Sequence, residues 1–404
     1  MKINIHLVVL TLGMIIFAGC SQDQNEPISK DGVAPGKILE AIVTNIPGGA
    51  IIKYTPPSDE DLLYVEAKYK LKNGNEFKVR SSVYSDTLVV KGFGDTNTYN
   101  VDIYSVDRSE NISEPLQVQV APLTPPIVNI FKTINMRKTF GGVNITWENE
   151  NSDAIAVILS ASSKEEGPDG PLEVIETFYS DAPNGRQSIR GFDTDAYRFR
   201  ARIRDRWGNF SEHKDVVINP YFESKLDKNL FKEVILPGDT KQTEPWNPNG
   251  GSTISRLWDE DTDSRLVGFN GNMPDNYHYT FDLGVEVSLS RMKFWQFTQG
   301  DGQYLYFDAQ YRKFEIWGAN ELDVSGGWEG WTKLRDCEIL KPSGLPEGLG
   351  SYTNEDKEIA FAGHDFEFGL DIPRVRYIRI KVNSSFSGLD WGACGEMTFW
   401  GDVN

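Results

Sequence analysis

The stretch densest in potential chemistry is Leu257-Trp258-Asp259-Glu260-Asp261-Thr262-Asp263-Ser264-Arg265, whose alternating aspartates could wrap a hard cation. Such a run opens the calcium loop of an EF-hand, which also needs glycine at its sixth position and a bidentate glutamate at its twelfth. Ser264 and Asn270 stand there, so the EF-hand reading fails. Catalytic sets do not assemble either. His213, His278 and His364 have no Cys or His at metal-ligand spacing, and His6 lies in the apolar leader. The sequence contains no Gly-x-Ser-x-Gly elbow and no phosphate-cradling glycine loop. Carboxylate pairs abound, as in any acidic chain, so counting them does not exclude a glycosidase. Cys337 and Cys394 could pair in an oxidising compartment, but their spacing does not require it.

Composition narrows the partners. The 404 residues carry 41 Lys+Arg against 59 Asp+Glu, a formal net charge of −18. A surface of that sign repels nucleic acid and anionic headgroups, which argues against phosphate recognition. A hydrophobic fraction of 39% with 12% aromatics is too high for a disordered chain. Three cysteines are too few for a disulfide scaffold, and the length suits several domains.

At the N-terminus, Lys2 precedes an apolar run from Leu7 to Phe17, shorter than the ~20 residues that cross a bilayer. The run ends in Phe17-Ala18-Gly19-Cys20, which resembles the bacterial lipobox. That resemblance implies a signal peptide over residues 1–19, cleavage before Cys20 and acylation of its thiol. Several acyl chains on one residue hold a protein firmly to a membrane. Residues 20–36 read as a polar, flexible tether.

The elements beyond the tether show an internal repeat. Tyr99–Asp107 followed by Arg108-Ser-Glu-Asn111-Ile-Ser113-Glu114 aligns with Tyr197–Asp205 followed by Arg206-Trp-Gly-Asn209-Phe-Ser211-Glu212. Each copy ends an alternating strand, turns through Asp-Arg-x-x-Asn-x-Ser-Glu and leaves by a second strand. A period near 100 residues points to tandem β-sandwiches. Val65, Ala67, Tyr69 and Leu71 alternate with polar neighbours, as do Val101 and Ile103, while Val143, Ile145 and Trp147 read as a core-facing strand. The two copies look like fibronectin type III or immunoglobulin-like domains over 37–121 and 122–222, joined by a stiff linker at Pro122, Pro125 and Pro126. Neither shows a convergent polar site, and both read as spacers.

The last third is different. Eight of the ten tryptophans lie beyond residue 245, and short strand-like stretches alternate with Gly-, Asn- and Asp-rich turns. Residues 225–404 resemble a discoidin, or coagulation factor 5/8 type C, domain, a galactose-binding-like jelly roll. Leu257–Ser264 takes the place of that family's acidic loop, and Phe281-Asp282-Leu283-Gly284 supplies its strand end. Phe314-Glu-Ile-Trp-Gly-Ala-Asn320 is similar to its central strand. Arg376–Ile380 and Gly395–Gly401 are similar to its closing strands. Glu260 and Leu266 depart from the pattern, and the loops around 298–312 and 340–370 are long.

The resemblance implies a structural calcium held by the Asp259 and Ser264 side chains, the carbonyls of Leu257 and Asp261, and Glu396. It also implies carbohydrate binding. Sugar ring faces stack on Trp or Tyr while hydroxyls need planar polar partners. Loop aromatics are therefore the candidates: Trp246, Tyr304, Tyr306, and Trp391 with Asp390 beside it. Trp317, Trp400, Phe281 and Phe294 are assigned to the core. Trp328 and Trp331 could equally cap the core.

The expected fold class is all-β, with two tandem Ig/fibronectin III-like sandwiches followed by a galactose-binding-like jelly-roll sandwich. This order, behind a lipobox, resembles lipoproteins encoded in Bacteroidetes polysaccharide-utilisation loci. The expectation is a non-catalytic, lipid-anchored outer-membrane protein, exposed at the cell surface, that captures poly- or oligosaccharide beside an importer complex. The alternatives are a protein-interaction or structural lipoprotein of the uptake machinery and, behind it, a glycosidase.

Overall fold

Period-two patterning is realised in antiparallel ladders throughout the computed structural model, which describes residues 32–244, 247–263, 265–269, 277–389 and 391–404. The first unit contains β1 (Ala41–Ile46), β2 (Gly49–Tyr54), β3 (Leu62–Lys70), β4 (Glu76–Ser82), β5 (Thr87–Lys91), β6 (Tyr99–Asp107) and β7 (Leu116–Val120). They form a three-stranded sheet, β1-β2-β5, packed on a four-stranded one, β4-β3-β6-β7. Val65, Ala67, Val101 and Ile103 point inward and meet Ile52 and Val90 of the facing sheet, all fully buried.

The second unit repeats this plan. After helix α1 (Pro126–Thr133) come β8 (Asn135–Thr139), β9 (Gly142–Glu148), β10 (Ile155–Ser162), β11 (Leu172–Ser180), β12 (Asn184–Ile189), β13 (Tyr197–Asp205) and β14 (Phe210–Ile218). Their sheets are β12-β9-β8 and β11-β10-β13-β14. The proline-rich linker leads directly into α1, where Pro126 stands in the first turn and lacks only an N–H that the helix would leave unpaired. Ile127 and Ile130 pin that helix to the second core, beside Val143, Ile145 and Trp147.

The repeated sequence is one turn built twice. The Asp107 carboxylate accepts hydrogen bonds from the Ser109 and Asn111 amides and from Asn111 Nδ2. Asp205 takes the same three bonds from the Trp207 and Asn209 amides and Asn209 Nδ2. In the second copy the turn also joins the two units. Asn209 Nδ2 donates to the Gly92 carbonyl at 2.7 Å, and the Trp207 ring packs against the first core. Gly92 has φ +102°, and a Cβ there would come within 2.7 Å of that ring, so glycine is required twice over.

The third unit is larger and is organised around one long bent strand. Its elements are β15 (Ser224–Lys225), β16 (Lys232–Val234), β17 (Thr243–Glu244), β18 (Asn247–Gly251), β19 (Leu266–Phe269), β20 (His278–Trp295), β21 (Tyr311–Ala319), β22 (Thr332–Glu338), helix α2 (Asn354–Ala362), β23 (His364–Glu367), β24 (Val375–Ser385), β25 (Trp391–Cys394) and β26 (Glu396–Asp402). The first half of β20 pairs with β16 and β24, and its second half with β23 and β26. A strand that changes sheets in this way closes a sandwich. Gly284, at the bend with φ +75°, approaches Leu230 so closely that a Cβ would lie 2.4 Å from its carbonyl oxygen. Phe281, Phe294, Phe314 and Phe399 fill the space between the layers.

Two aromatic assignments change. Trp317 and Trp400 are half-buried on outward faces, because Ile316 and Phe399 hold the inward positions and strand neighbours point to opposite sides. Trp400 lies under the Arg291 guanidinium, 3.7 Å from its ring centroid, and Trp317 meets Trp328 edge-on at 5.1 Å. Cys337 and Cys394 are buried free thiols. Burial pushes the Cys394 thiol up to about 12. Among the described residues no helix is long and apolar enough to cross a membrane.

Candidate functional site

One end of the third unit carries a pocket of about 240 Å³, small enough to suit a single ring rather than an enclosed chain. Its floor is a backbone seam. β19 pairs with β25 from Leu266↔Cys394 to Phe269↔Trp391, and the Ala393 amide donates to the Ala309 carbonyl at 2.8 Å. Gln310 closes the long 297–310 loop as a strand pair would, accepting from the Phe297 amide at 3.0 Å and donating to its carbonyl at 2.5 Å. The Asp308 amide donates to Ser387 Oγ at 2.9 Å, and the Ser387 amide returns a bond to the Asp308 carbonyl at 3.0 Å.

On this frame the sequence places Tyr304 and Trp391, both half-buried, with Arg265, Gln299 and Asp308 around the same space. The Arg265 guanidinium lies 5.0 Å from the Phe297 ring centroid, a cation–π contact that orients its planar head. The Asp308 carboxylate accepts no hydrogen bond from a described residue. Aromatic faces beside planar donors and an acceptor are the chemistry that binds a pyranose ring.

Tyr306 belongs elsewhere. Its ring is fully buried against His364 and Phe386, and its hydroxyl donates to the Asp356 carbonyl at 2.9 Å, so it offers no face to a ligand. Two tyrosines separated by one residue in the same loop thus split between pocket and core. Trp246 and Asp390 lie outside the described residues, as do Ser264 and the proposed lipid anchor Cys20.

The acidic loop supports this pocket in a way the spacing alone did not suggest. Asp263 Oδ1 accepts from the Gly300 amide at 2.8 Å and from Thr298 Oγ1, which holds the carboxyl below its usual range and ties the loop to the pocket turn. The donors expected for calcium are committed differently. Asp259 and Asp261 are exposed and accept from the Asp261 and Asp263 amides. Glu396, only 3% exposed, receives the Lys228 ammonium on Oε1 at 2.6 Å and the Glu260 amide on Oε2 at 3.0 Å. Both of its oxygens are taken, one by a built-in cation. Among the described residues no three His, Cys, Asp or Glu side chains converge on a metal position. Of the expected calcium ligands, Glu396 thus has both oxygens engaged by protein donors, while Ser264 lies outside the described residues. Burial nonetheless pushes the Glu396 carboxyl up to about 7, against the pull of Lys228.

Three family models match, described as a domain of unknown function, DUF4959, over residues 35–122, DUF5126 over 123–229 and DUF5000 over 258–401. No curated protein matches. Among solved structures, the SusE-like protein BT2857 is 33% identical and the match covers 69% of this chain and 100% of that one, with a TM-score of 0.44. The chain belongs to the SusE-like proteins. Sequence identity along the whole of that relative decides this, not the superposition. A chitobiase fragment from Bacteroides thetaiotaomicron is 17% identical, covering 45% of this SusE-like chain and 94% of its own length at a TM-score of 0.31. A two-domain fibronectin type III segment of chicken tenascin is 12% identical over 45% and 97%, at 0.23.

Sequence reasoning missed the polar half of the SusE-like pocket. Arg265 closes the very loop singled out for its acids, and Gln299 and Asp308 lie in the loop noted as long. The β19–β25 pair brings Arg265 to Trp391, and the Ala393–Ala309 and Ser387–Asp308 backbone bonds bring the long loop there.

Proposed function

We propose that this SusE-like chain is a non-catalytic glycan-binding lipoprotein of the outer membrane. In this reading acylated Cys20 anchors it, the two fibronectin-like units space the third from the lipid, and the third captures poly- or oligosaccharide at the cell surface for an importer complex. The observation that carries the reading is the convergence of Tyr304 and Trp391 with Arg265, Gln299 and Asp308 on one pocket. The likeness of residues 225–404 to discoidin domains supports the ligand class.

Affinity electrophoresis of the full mature chain through gels containing different polysaccharides tests the proposal. Retardation by at least one glycan, with no release of reducing sugar, is the expected result. A folded chain that migrates unretarded through every gel of a broad panel contradicts it.

A further inference from the structure

The second fibronectin-like unit carries a surface that a spacer does not need. Along β13 the inward positions Tyr197, Phe199, Ala201 and Ile203 are buried, and every outward position between them is arginine: Arg198, Arg200, Arg202 and Arg204. The same strand of the first repeat, β6, has Asn100, Asp102, Tyr104 and Val106 at the equivalent places. This strand of the second copy therefore carries four outward cations where its counterpart carries none, on a chain whose formal net charge is −18.

Part of this row is structural. Arg198 Nη2 donates to the Gly170 carbonyl at 2.6 Å, and Arg200 binds Asp215 through two bonds of 2.7 Å. The arginine stems also cover Ala156 and Ile158 of β10, which lie across from Arg204 and Arg202 and are 3% and 7% exposed. The other two heads are not used in this way. Arg202 stacks over the exposed Phe210 ring at 4.3 Å, and Arg204 Nη2 stands 3.5 Å from the hydroxyl of Tyr179, itself 75% exposed. Neither pairs with a carboxylate of the described residues. On β14 the partners across from the row are Val217, Asp215 and His213, so Asp215 is the one acid opposite four guanidinium groups. Glu173 and Glu176 of the edge strand β11 sit across from the inward positions Ala161 and Leu159.

Alternate residues on a strand lie about 6.6 Å apart, so the heads form a straight row of about 20 Å. Guanidinium forks bind carboxylate and sulfate bidentately, and the flanking Tyr179 and Phe210 offer ring faces beside them. Val174, Tyr179, Phe210 and Val217 are exposed beside the row as separate side chains, so its continuous feature is the line of guanidinium groups, which complements a linear anionic polymer. We infer that the outward face of β10, β13 and β14 is a second glycan-binding surface, specific for a linear polysaccharide bearing carboxylate or sulfate groups. This deepens the glycan reading and rests on it for the polymer class, but it uses none of the pocket residues.

The test is affinity electrophoresis of the full mature chain against polygalacturonate, a sulfated galactan and a neutral galactan, with the R202Q/R204Q and W391A variants in parallel. The expected result is retardation of the wild type by one or both anionic polymers, weakened by added salt. Loss of the two charge-assisted contacts in R202Q/R204Q should weaken that retardation about tenfold at an unchanged melting temperature. The carboxylated and sulfated arms identify which anion is read. Retardation lost in W391A but kept in R202Q/R204Q overturns the inference while leaving the pocket reading in place. Retardation of the anionic polymers lost only in R202Q/R204Q supports the inference even if the pocket reading fails. An arginine face that retains an acidic protein and no polysaccharide also overturns it.

Discussion

Asp308 and Glu396 show how two carboxylates of one domain take opposite parts. Asp308 is half-buried at the pocket without a hydrogen-bond donor among the described residues, so it is available to a sugar hydroxyl. Asp308→Asn keeps the size but removes the charge, and calorimetry should show glycan affinity falling by about tenfold, the usual value of a charge-assisted bond. An unchanged affinity would remove Asp308 from the site. Glu396 is instead enclosed by Lys228 and the Glu260 amide. Its carboxyl is raised from 4.5 to about 7, so between those values the folded chain holds a proton that the unfolded chain has released. Stability from this group is complete below pH 4.5, falls as pH rises through that window and is gone above 7. Thermal melts of Glu396→Gln should lack this slope, and parallel wild-type and variant profiles would refute the assignment. Because Lys228 supplies the cation, a chelator should leave the melting temperature unchanged. Lys228→Met should lower stability by about 3 kcal/mol at pH 8, the cost of a buried charge left unpaired.

At the scale of elements, alternation was the most readable signal and its parity the least. Val65, Ala67, Val101 and Val143 were placed inward from sequence and are fully buried, because a half-buried strand must sort its side chains by face. Trp317 and Trp400 were assigned to the core because they lie in strands, yet their strands give those positions to the outward face. Helix α2 went unread because its start is marked by a Thr353–Asp356 capping box and not by an apolar stripe. The site was half legible. Tyr304 and Trp391 stood out as loop aromatics, whereas Arg265, Gln299 and Asp308 join them through non-local strand and loop pairings that no local spacing encodes. The repeated Asp-Arg-x-x-Asn turn was legible as a motif, but its role in docking the first two units depends on Trp207, which only the second copy has. Gly92→Ala places a methyl group in that ring and forces a positive φ on a side chain. It should destabilise the chain by about 2 kcal/mol and admit protease between the units. Wild-type resistance to proteolysis in that variant would show that the junction does not depend on Trp207.

Across the whole molecule, each junction is a specific contact and not a slack linker. Arg190 of the second unit binds Glu223 and Glu367, both at 2.7 Å, while Ser290 donates to Glu223 at 2.6 Å, so the second and third units are tied by partly buried charge. The central claim is that the pocket of the third unit binds glycan through its aromatic walls. Its most direct measurement is a calorimetric titration of the full mature chain and of Trp391→Ala with an oligosaccharide of the polymer that retards the wild type. Base–aromatic stacking is worth about 1–3 kcal/mol, and a comparable sugar–tryptophan stack predicts binding weakened about five- to 150-fold in the variant at unchanged fold. Equal affinity of the two proteins would contradict the account.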